Sequence, residues 1–266
     1  MQMKTNNKPS DPEGVSQVAN QPEDDRKFWG GQWASALEAG IESPDEPTWF
    51  NERDKMLLDF IRPYLPTSGT VAELGCGSAR LLARIGLERP NLKLIAVDYE
   101  ESAIRLVQAS ARVYGVKIDT SLDDVNALKF KDNEFEMVLS GGLLEHFVDP
   151  RPALREMVRT LKPGGTFYAA IVHRKLFSLH RPLHRVLGPQ VHRTTYNSHH
   201  YAGWLRELGM VDVVPLSKGM YPPLFHHLPS SLRLPIERAG RKLDGTWLAD
   251  QLGYFFVLGA RKPQPD

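Results

Sequence analysis

Between residues 70 and 172 the apolar positions alternate between two rhythms. Short runs of β-branched and other apolar residues, Thr70–Leu74, Leu92–Asp98, Val116–Ser121, Phe135–Ser140 and Thr166–Val172, have the length of strands. Between them, Ser78–Arg89, Glu100–Tyr114 and a stretch near Arg151–Leu161 repeat their apolar residues at helical intervals. Pro90 stops the first of these helices, and Gly115 is a natural C-terminal residue for the second. Strands that alternate with helices need crossover connections, which means a parallel sheet. Upstream, Arg53–Tyr64 predicts an amphipathic helix with Met56, Leu57, Phe60 and Ile61 on one face, ended by Pro63 and Pro66.

Outside this core the rhythm weakens. Residues 1–25 are polar and expected to be disordered. Residues 26–66, with aromatics from Phe28 to Phe50, read as a helical lid ahead of a core at 67–172. Residues 173–196 form a basic, His-rich cap insertion punctuated by Pro182 and Pro189. The core resumes at 197–216 with a helix, His199–Leu208, capped by Asn197 or Ser198 and closed by Gly209, then a strand, Val211–Leu216. A second cap insertion, 217–247, has no clear period, and 248–262 ends in an apolar strand, Tyr254–Ala260. There is no internal repeat.

Charge adds an asymmetry that the net value of +1 hides. Residues 1–172 hold 20 Lys/Arg against 26 Asp/Glu, whereas 173–245 hold 11 against 4, and all nine histidines lie between His146 and His227. A basic region suggests an anionic partner, a carboxylate or phosphate substrate, a lipid surface or RNA, with solvated surface charge as the plain alternative. No apolar run reaches the roughly 18 residues of a membrane helix, and the N-terminus lacks the apolar centre of a signal peptide. Together with a single cysteine, Cys76, which excludes an intrachain disulfide framework, this gives the expectation of a cytoplasmic protein.

The chemistry concentrates at VAELGCGSAR, residues 71–80, where the first strand meets a glycine-rich turn. In an open parallel sheet, ligands bind beyond the C-terminal strand ends, and Gly75 and Gly77 let the backbone come close to one. A dinucleotide loop needs a third glycine at residue 80, where Arg80 stands, and Glu73 would repel a pyrophosphate. The acid instead suits a ligand with an ammonium group and a cationic sulfur. Asp98, ending the second strand, can accept both hydroxyls of a ribose, a feature that NAD enzymes share.

With the later segments included, the chain resembles the class I S-adenosylmethionine-dependent methyltransferases, in the type 11 style of small-molecule enzymes. Glu73-Leu74-Gly75-Cys76-Gly77 is similar to the family's first motif, Val97-Asp98-Tyr99 to its ribose-binding strand end, Asp124-Val125 with the following Leu128–Glu136 to its third landmark, and Leu161-Lys162-Pro163-Gly164-Gly165 to the turn before its fifth strand. The resemblance implies a Rossmann-like, seven-stranded, mostly parallel α/β sheet with helices on both faces, an antiparallel last strand and a cap over the cofactor mouth. It implies S-adenosylmethionine as cofactor, with Glu73, Gly75, Cys76, Gly77, Arg80, Asp98, Tyr99, Asp124, Val125 and Ser140 as its contacts. An acid at 124 would meet the adenine amino group, the next N–H a ring nitrogen, and Arg80 the methionine carboxylate. Leu143-Leu144-Glu145-His146 is similar to a segment of ubiquinone-biosynthesis O-methyltransferases in which a further acid is proposed to complete a metal site; Gly142 stands there, and no metal is expected.

His146, just past a strand end, is the candidate base, since an imidazole titrates near neutral pH. A sulfonium is already a good leaving group, so alignment alone can carry much of the rate. Candidate acceptor contacts are Trp29, Trp33, His173, Tyr196, His199, His200 and Tyr221, each with ordinary packing as its plain alternative. The reading is a methyltransferase acting on O or N of a small, anionic or aromatic metabolite, with neither nucleic acid nor membrane as the expected partner. An RNA or protein methyltransferase and a non-catalytic, methyltransferase-like subunit stay open. The sequence fixes neither the acceptor nor the oligomeric state.

Overall fold

In the computed structural model, residues 23–172, 191–218, 229–253 and 255–265 are described. The strands β1 (Gly69–Leu74), β2 (Leu92–Asp98), β3 (Asp119–Leu122), β4 (Phe135–Gly141), β5 (Leu161–Ile171), β6 (Val211–Lys218) and β7 (Phe255–Arg261) form one sheet in the order β3-β2-β1-β4-β5-β7-β6. Strands β1 to β5 pair parallel, and β7 runs antiparallel to both its neighbours, β5 and β6. This is the Rossmann-like sheet the sequence implies, including the reversed last strand.

The sheet sits between two apolar layers because successive residues of a strand face opposite ways. Val71 points into the layer built by Leu57 and Ile61 of α2 (Trp49–Ile61), Leu82 and Ile85 of α3 (Arg80–Glu88) and Val107 of α4 (Glu101–Tyr114). Its neighbour Ala72 points into the other, with Leu154 and Met157 of α5 (Arg151–Thr160) and Tyr201 and Leu205 of α6 (Ser198–Glu207). Burial on both faces explains why β1, β2 and β4 read as continuous apolar runs rather than alternating ones. Truncating a fully buried residue of the central strands, such as Leu139, costs about 2–5 kcal/mol.

Strand order reverses between β1 and β4: from β1 the chain builds outward through β2 and β3, then returns to lay β4 on β1's other side. The loops after β1 and β4 therefore diverge above one crevice, where doubly wound sheets bind their ligands.

Three elements differ from expectation. A 17-residue helix, α1 (Glu23–Ala39), begins inside the stretch read as a disordered tail. Strand β5 starts at Leu161, so the Lys162–Gly165 turn is an irregularity within the strand, where the register to β4 shifts. The aperiodic stretch before the last strand holds α7 (Ser230–Arg241), with Pro235 inside it, and α8 (Trp247–Leu252). His173 and Tyr221, with residues 173–190 of the first cap insertion and 219–228 of the second, lie outside the described residues.

Candidate active site

The loop after β1 is shaped by two left-handed glycines, Gly75 at φ +65° and Gly77 at φ +50°. Space also requires glycine: a Cβ at Gly75 would lie 2.5 Å from the Leu143 side chain, and one at Gly77 2.7 Å from the Trp33 ring. The loop is stitched to the end of β2, with Cys76 N donating to Val97 O at 3.0 Å and Gly77 N donating to Asp98 Oδ2 at 2.9 Å. Asp98 Oδ1 accepts from Glu100 N at 3.0 Å. Each carboxylate oxygen of this buried acid has a further lone pair, so Asp98 can still receive two ligand hydroxyls.

Above the loop lies a cavity of about 550 Å³ lined by Glu73, Gly75, Cys76, Gly77, Asp98 and Tyr99 on one side and by Trp29, Trp33, Glu145, His146 and Arg193 on another. Glu73 is buried, and its Oε2 has no hydrogen-bond partner among the described residues. Burial pushes its carboxyl up to about 8, with the nearby Asp54 carboxylate adding to the effect. A buried carboxyl in that state is a receptor for a cation, which would restore its ionised form. The Tyr99 hydroxyl is also buried, and the Arg26 guanidinium lies 4.6 Å from the centre of its ring. Burial raises the Cys76 thiol well above its ordinary range, which leaves it a small loop residue and no nucleophile.

Helix α1 roofs the cavity. Trp29 and Trp33 stack with ring centres 5.4 Å apart, and Trp29 meets the His146 ring edge-on at 4.9 Å. Ser102 of α4 donates its hydroxyl to Gly30 O at 3.2 Å. Gly30 in mid-helix favours this approach: a Cβ there would come within 3.1 Å of Glu100 Oε2.

His146 sits in a short turn of helix, Leu144–His146, after β4. Its Nδ1 lies 2.8 Å from the carbonyl of His192. A carbonyl oxygen can only accept, so Nδ1 carries the proton and Nε2 is left as an acceptor. Burial pulls the imidazole down to about 4, so the ring is neutral at physiological pH. Beside it, Glu145 Oε1 accepts from Val172 N at 3.1 Å, while the buried Oε2 has no partner among the described residues. Burial lifts Glu145 to about 7.

Several predicted contacts are not brought to the cavity. Tyr196 packs edge-on against Trp204, with centroids 4.8 Å apart, and with His200 belongs to an aromatic cluster at the start of α6. Asn197 caps that helix by accepting from the backbones of His199 and His200, whose side chains are exposed. Val125 is in the core, and Asp124 uses Oδ1 to accept from Asn126 N and Nδ2, both at 2.9 Å; neither lines the cavity. Ser140 is buried with its hydroxyl unpartnered, behind the lining residues Gly141 and Gly142. Arg80 is the clearest departure. It touches the cavity, but its guanidinium is directed at protein acceptors: Asp54 at 3.1 Å, Glu42 at 2.8 Å and Asn51 at 2.8 Å. It anchors the 42–54 segment through one bond from each of its three nitrogens.

Sequence reasoning missed Asp25, Glu145 and Arg193. Glu145 carried a signal, as a carboxylate in the apolar run before His146. Asp25 and Arg193 carried none, because only the tertiary fold brings Arg193 to the cavity and Asp25 to the backbone of His192.

A sheet of this order, with an acid-and-glycine loop at its switch point and an acid ending the next strand, is the arrangement that the resemblance to class I S-adenosylmethionine-dependent methyltransferases implies. Residues 72–169 match the family described as "Methyltransferase domain". It is similar to the ubiquinone/menaquinone biosynthesis C-methyltransferase of Desulfotalea psychrophila, 34% identical over 100 residues that cover 38% of this chain and 40% of that protein. It is also similar to the ubiquinone biosynthesis O-methyltransferase of Ralstonia nicotianae, 28% identical over 126 residues covering 47% and 52% of the two chains. The chain thus spans about half the length of these curated relatives. Among solved structures, the cyclase SpnF superposes with a TM-score of 0.64 at 18% identity, covering 92% of this chain and 99% of that one. A possible histamine N-methyltransferase from Thermotoga maritima gives 0.55 at 20%, covering 79% and 89%. At these identities the structural likeness is one of fold, and a fold alone does not fix the chemistry.

Proposed function

We propose that this chain transfers a methyl group from S-adenosylmethionine to oxygen or nitrogen of a small, anionic or aromatic metabolite. The observation that carries the reading is buried Glu73, whose Oε2 has no hydrogen-bond partner among the described residues, beside the Gly75–Gly77 loop and Asp98, all facing one cavity. These residues fit the cofactor: an orphaned acid for an ammonium group, two positions where any Cβ would collide, and a carboxylate with lone pairs to spare for ribose hydroxyls. When bound, the cofactor supplies a methyl group on a positively charged sulfur with good leaving ability.

The chain's own residues do the rest. Glu73 and Asp98 hold the two ends of the cofactor, Trp33 closes on the glycine loop, and Trp29 excludes water beside His146. His146, neutral and with Nε2 as acceptor, takes the proton that the acceptor atom loses as it attacks. The relatives named for ubiquinone biosynthesis favour a small-molecule acceptor over RNA or protein. Calorimetry with S-adenosylhomocysteine tests the binding half: the wild type binds, and Asp98→Ala abolishes binding while keeping a cooperative thermal transition. Near-normal binding by Asp98→Ala would remove the ribose assignment.

A further inference from the structure

Helix α1 meets the catalytic end of the cavity at a second place besides Trp29. Asp25, in its first turns, is 3% exposed, and its Oδ2 accepts from the backbone N–H of His192 at 2.7 Å. The carbonyl of that same residue receives the His146 Nδ1 proton at 2.8 Å. Two residues on, Thr194 N donates to the carbonyl of Glu145 at 2.8 Å. The 192–194 segment therefore runs along the Glu145–His146 turn, bonded to it twice, and α1 grips residue 192 from the other side.

We propose that Asp25 is a positioning residue: by fixing the backbone of residue 192, it locks His146 in the tautomer whose Nε2 can accept a proton, so that the base is competent only while α1 is seated on the cavity. The catalytic consequence rests on the reading of His146 as the base; the structural coupling does not.

The physical reasoning is short. A neutral imidazole in water exchanges between two tautomers, and inside a protein the hydrogen bond made by one ring nitrogen decides the state of the other. Here that bond goes to a main-chain carbonyl in a segment outside the sheet, so its direction depends on what holds residue 192. The buried Asp25 carboxylate gives a charge-assisted hydrogen bond, roughly twice the strength of a neutral one. If α1 lifts, residue 192 loses this anchor, His146 loses the fixed acceptor for Nδ1–H, and the Nε2–H form becomes populated. That form presents a donor to the cavity and cannot take a proton. The same movement withdraws Trp29 from the ring face, so shielding and tautomer change together.

The test uses the full chain labelled with 15N-histidine, with the His146 signals assigned by their loss in His146→Gln. Ring nitrogen shifts at pH 7 report the tautomer directly. The wild type is expected to show His146 protonated at Nδ1 and bare at Nε2. Asp25→Ala should move it to an exchange-averaged mixture. Asp25→Asn should restore the wild-type pattern, because the amide oxygen still accepts from residue 192; a merely structural role for Asp25 would not separate these two variants by tautomer. A wild-type ring protonated at Nε2 overturns the proposal, whether or not any variant folds, and so does a folded Asp25→Ala that keeps Nδ1–H. Calorimetry with S-adenosylhomocysteine on the same samples separates this from the function: a wild type that fails to bind contradicts the methyltransferase reading and leaves the tautomer result standing on its own.

Discussion

Residue 79 shows how local backbone chemistry shapes the cofactor loop. Ala79 is left-handed at φ +48°, immediately before α3, a conformation that costs a side-chain-bearing residue roughly 1–2 kcal/mol. Ala79→Gly is therefore expected to leave the protein at least as stable in urea, because relief of strain offsets the extra freedom glycine has when unfolded. Gly75→Ala, at φ +65° and against Leu143, should lower the unfolding free energy measured in urea by about 1 kcal/mol or more. Equal effects would mean that the loop is not held in this conformation. Glu73, Gly75, Gly77 and Asp98 were legible in the sequence because their order along two consecutive strand ends is itself a pattern. The pairing of Arg80 was not legible for the opposite reason: its partners, Glu42 and Asp54, come from a segment 26 to 38 residues earlier.

At the scale of elements, β2 could be read to the residue, Leu92–Asp98, because both faces are buried and its ends are marked by Asn91 and the acid. Helix α1 was legible only as part of a helical lid over 26–66, without bounds of its own, since Gly30 and Gly31 interrupt its interior and its apolar face is aromatic and discontinuous; it is held by contacts with α4 and the 192–194 segment. Helix α7 was hidden by Pro235. The union of α2, α3 and the segment before α2 depends on one buried side chain. Asn51 Nδ2 donates to the carbonyls of Ser43 and Glu46, both at 2.8 Å, while Oδ1 accepts from Arg80 and from buried Arg84. Asn51→Leu should cost about 3 kcal/mol or more in urea unfolding, because it strips buried guanidinium groups of an acceptor. A loss under about 1 kcal/mol would show that water replaces the amide.

For the whole molecule, the buried acids of the cavity set how stability varies with pH. Glu73 and Glu145 are raised from their ordinary 4.5 to about 8 and about 7, so their contribution is full below 4.5 and is lost as pH rises through the folded values. His146 is lowered from 6.5 to about 4, so its contribution is full above 6.5 and is lost as pH falls. The carboxylates paired with arginine or lysine, Glu88, Glu136, Asp149 and Glu156, are lowered and act below 4.5. Between pH 6.5 and 8 the two cavity acids are unopposed, and stability is expected to fall across that window. Glu73→Gln should flatten the fall and be more stable than the wild type at pH 8; an unchanged slope would mean that Glu73 is ionised in the free protein. At this scale the seven-stranded, mostly parallel sheet and the reversed final strand were implied by the family resemblance, whereas the seating of α1 over the cavity depends on contacts between distant segments.

The most direct test of the central claim is transfer of label from methyl-radiolabelled S-adenosylmethionine into a cell extract fractionated into small molecules, RNA and protein. The account predicts label in the small-molecule fraction, absent with Asp98→Ala and strongly reduced with His146→Ala. Label confined to RNA or protein would contradict the acceptor class, and a wild type that neither transfers label nor binds S-adenosylhomocysteine would contradict the claim itself.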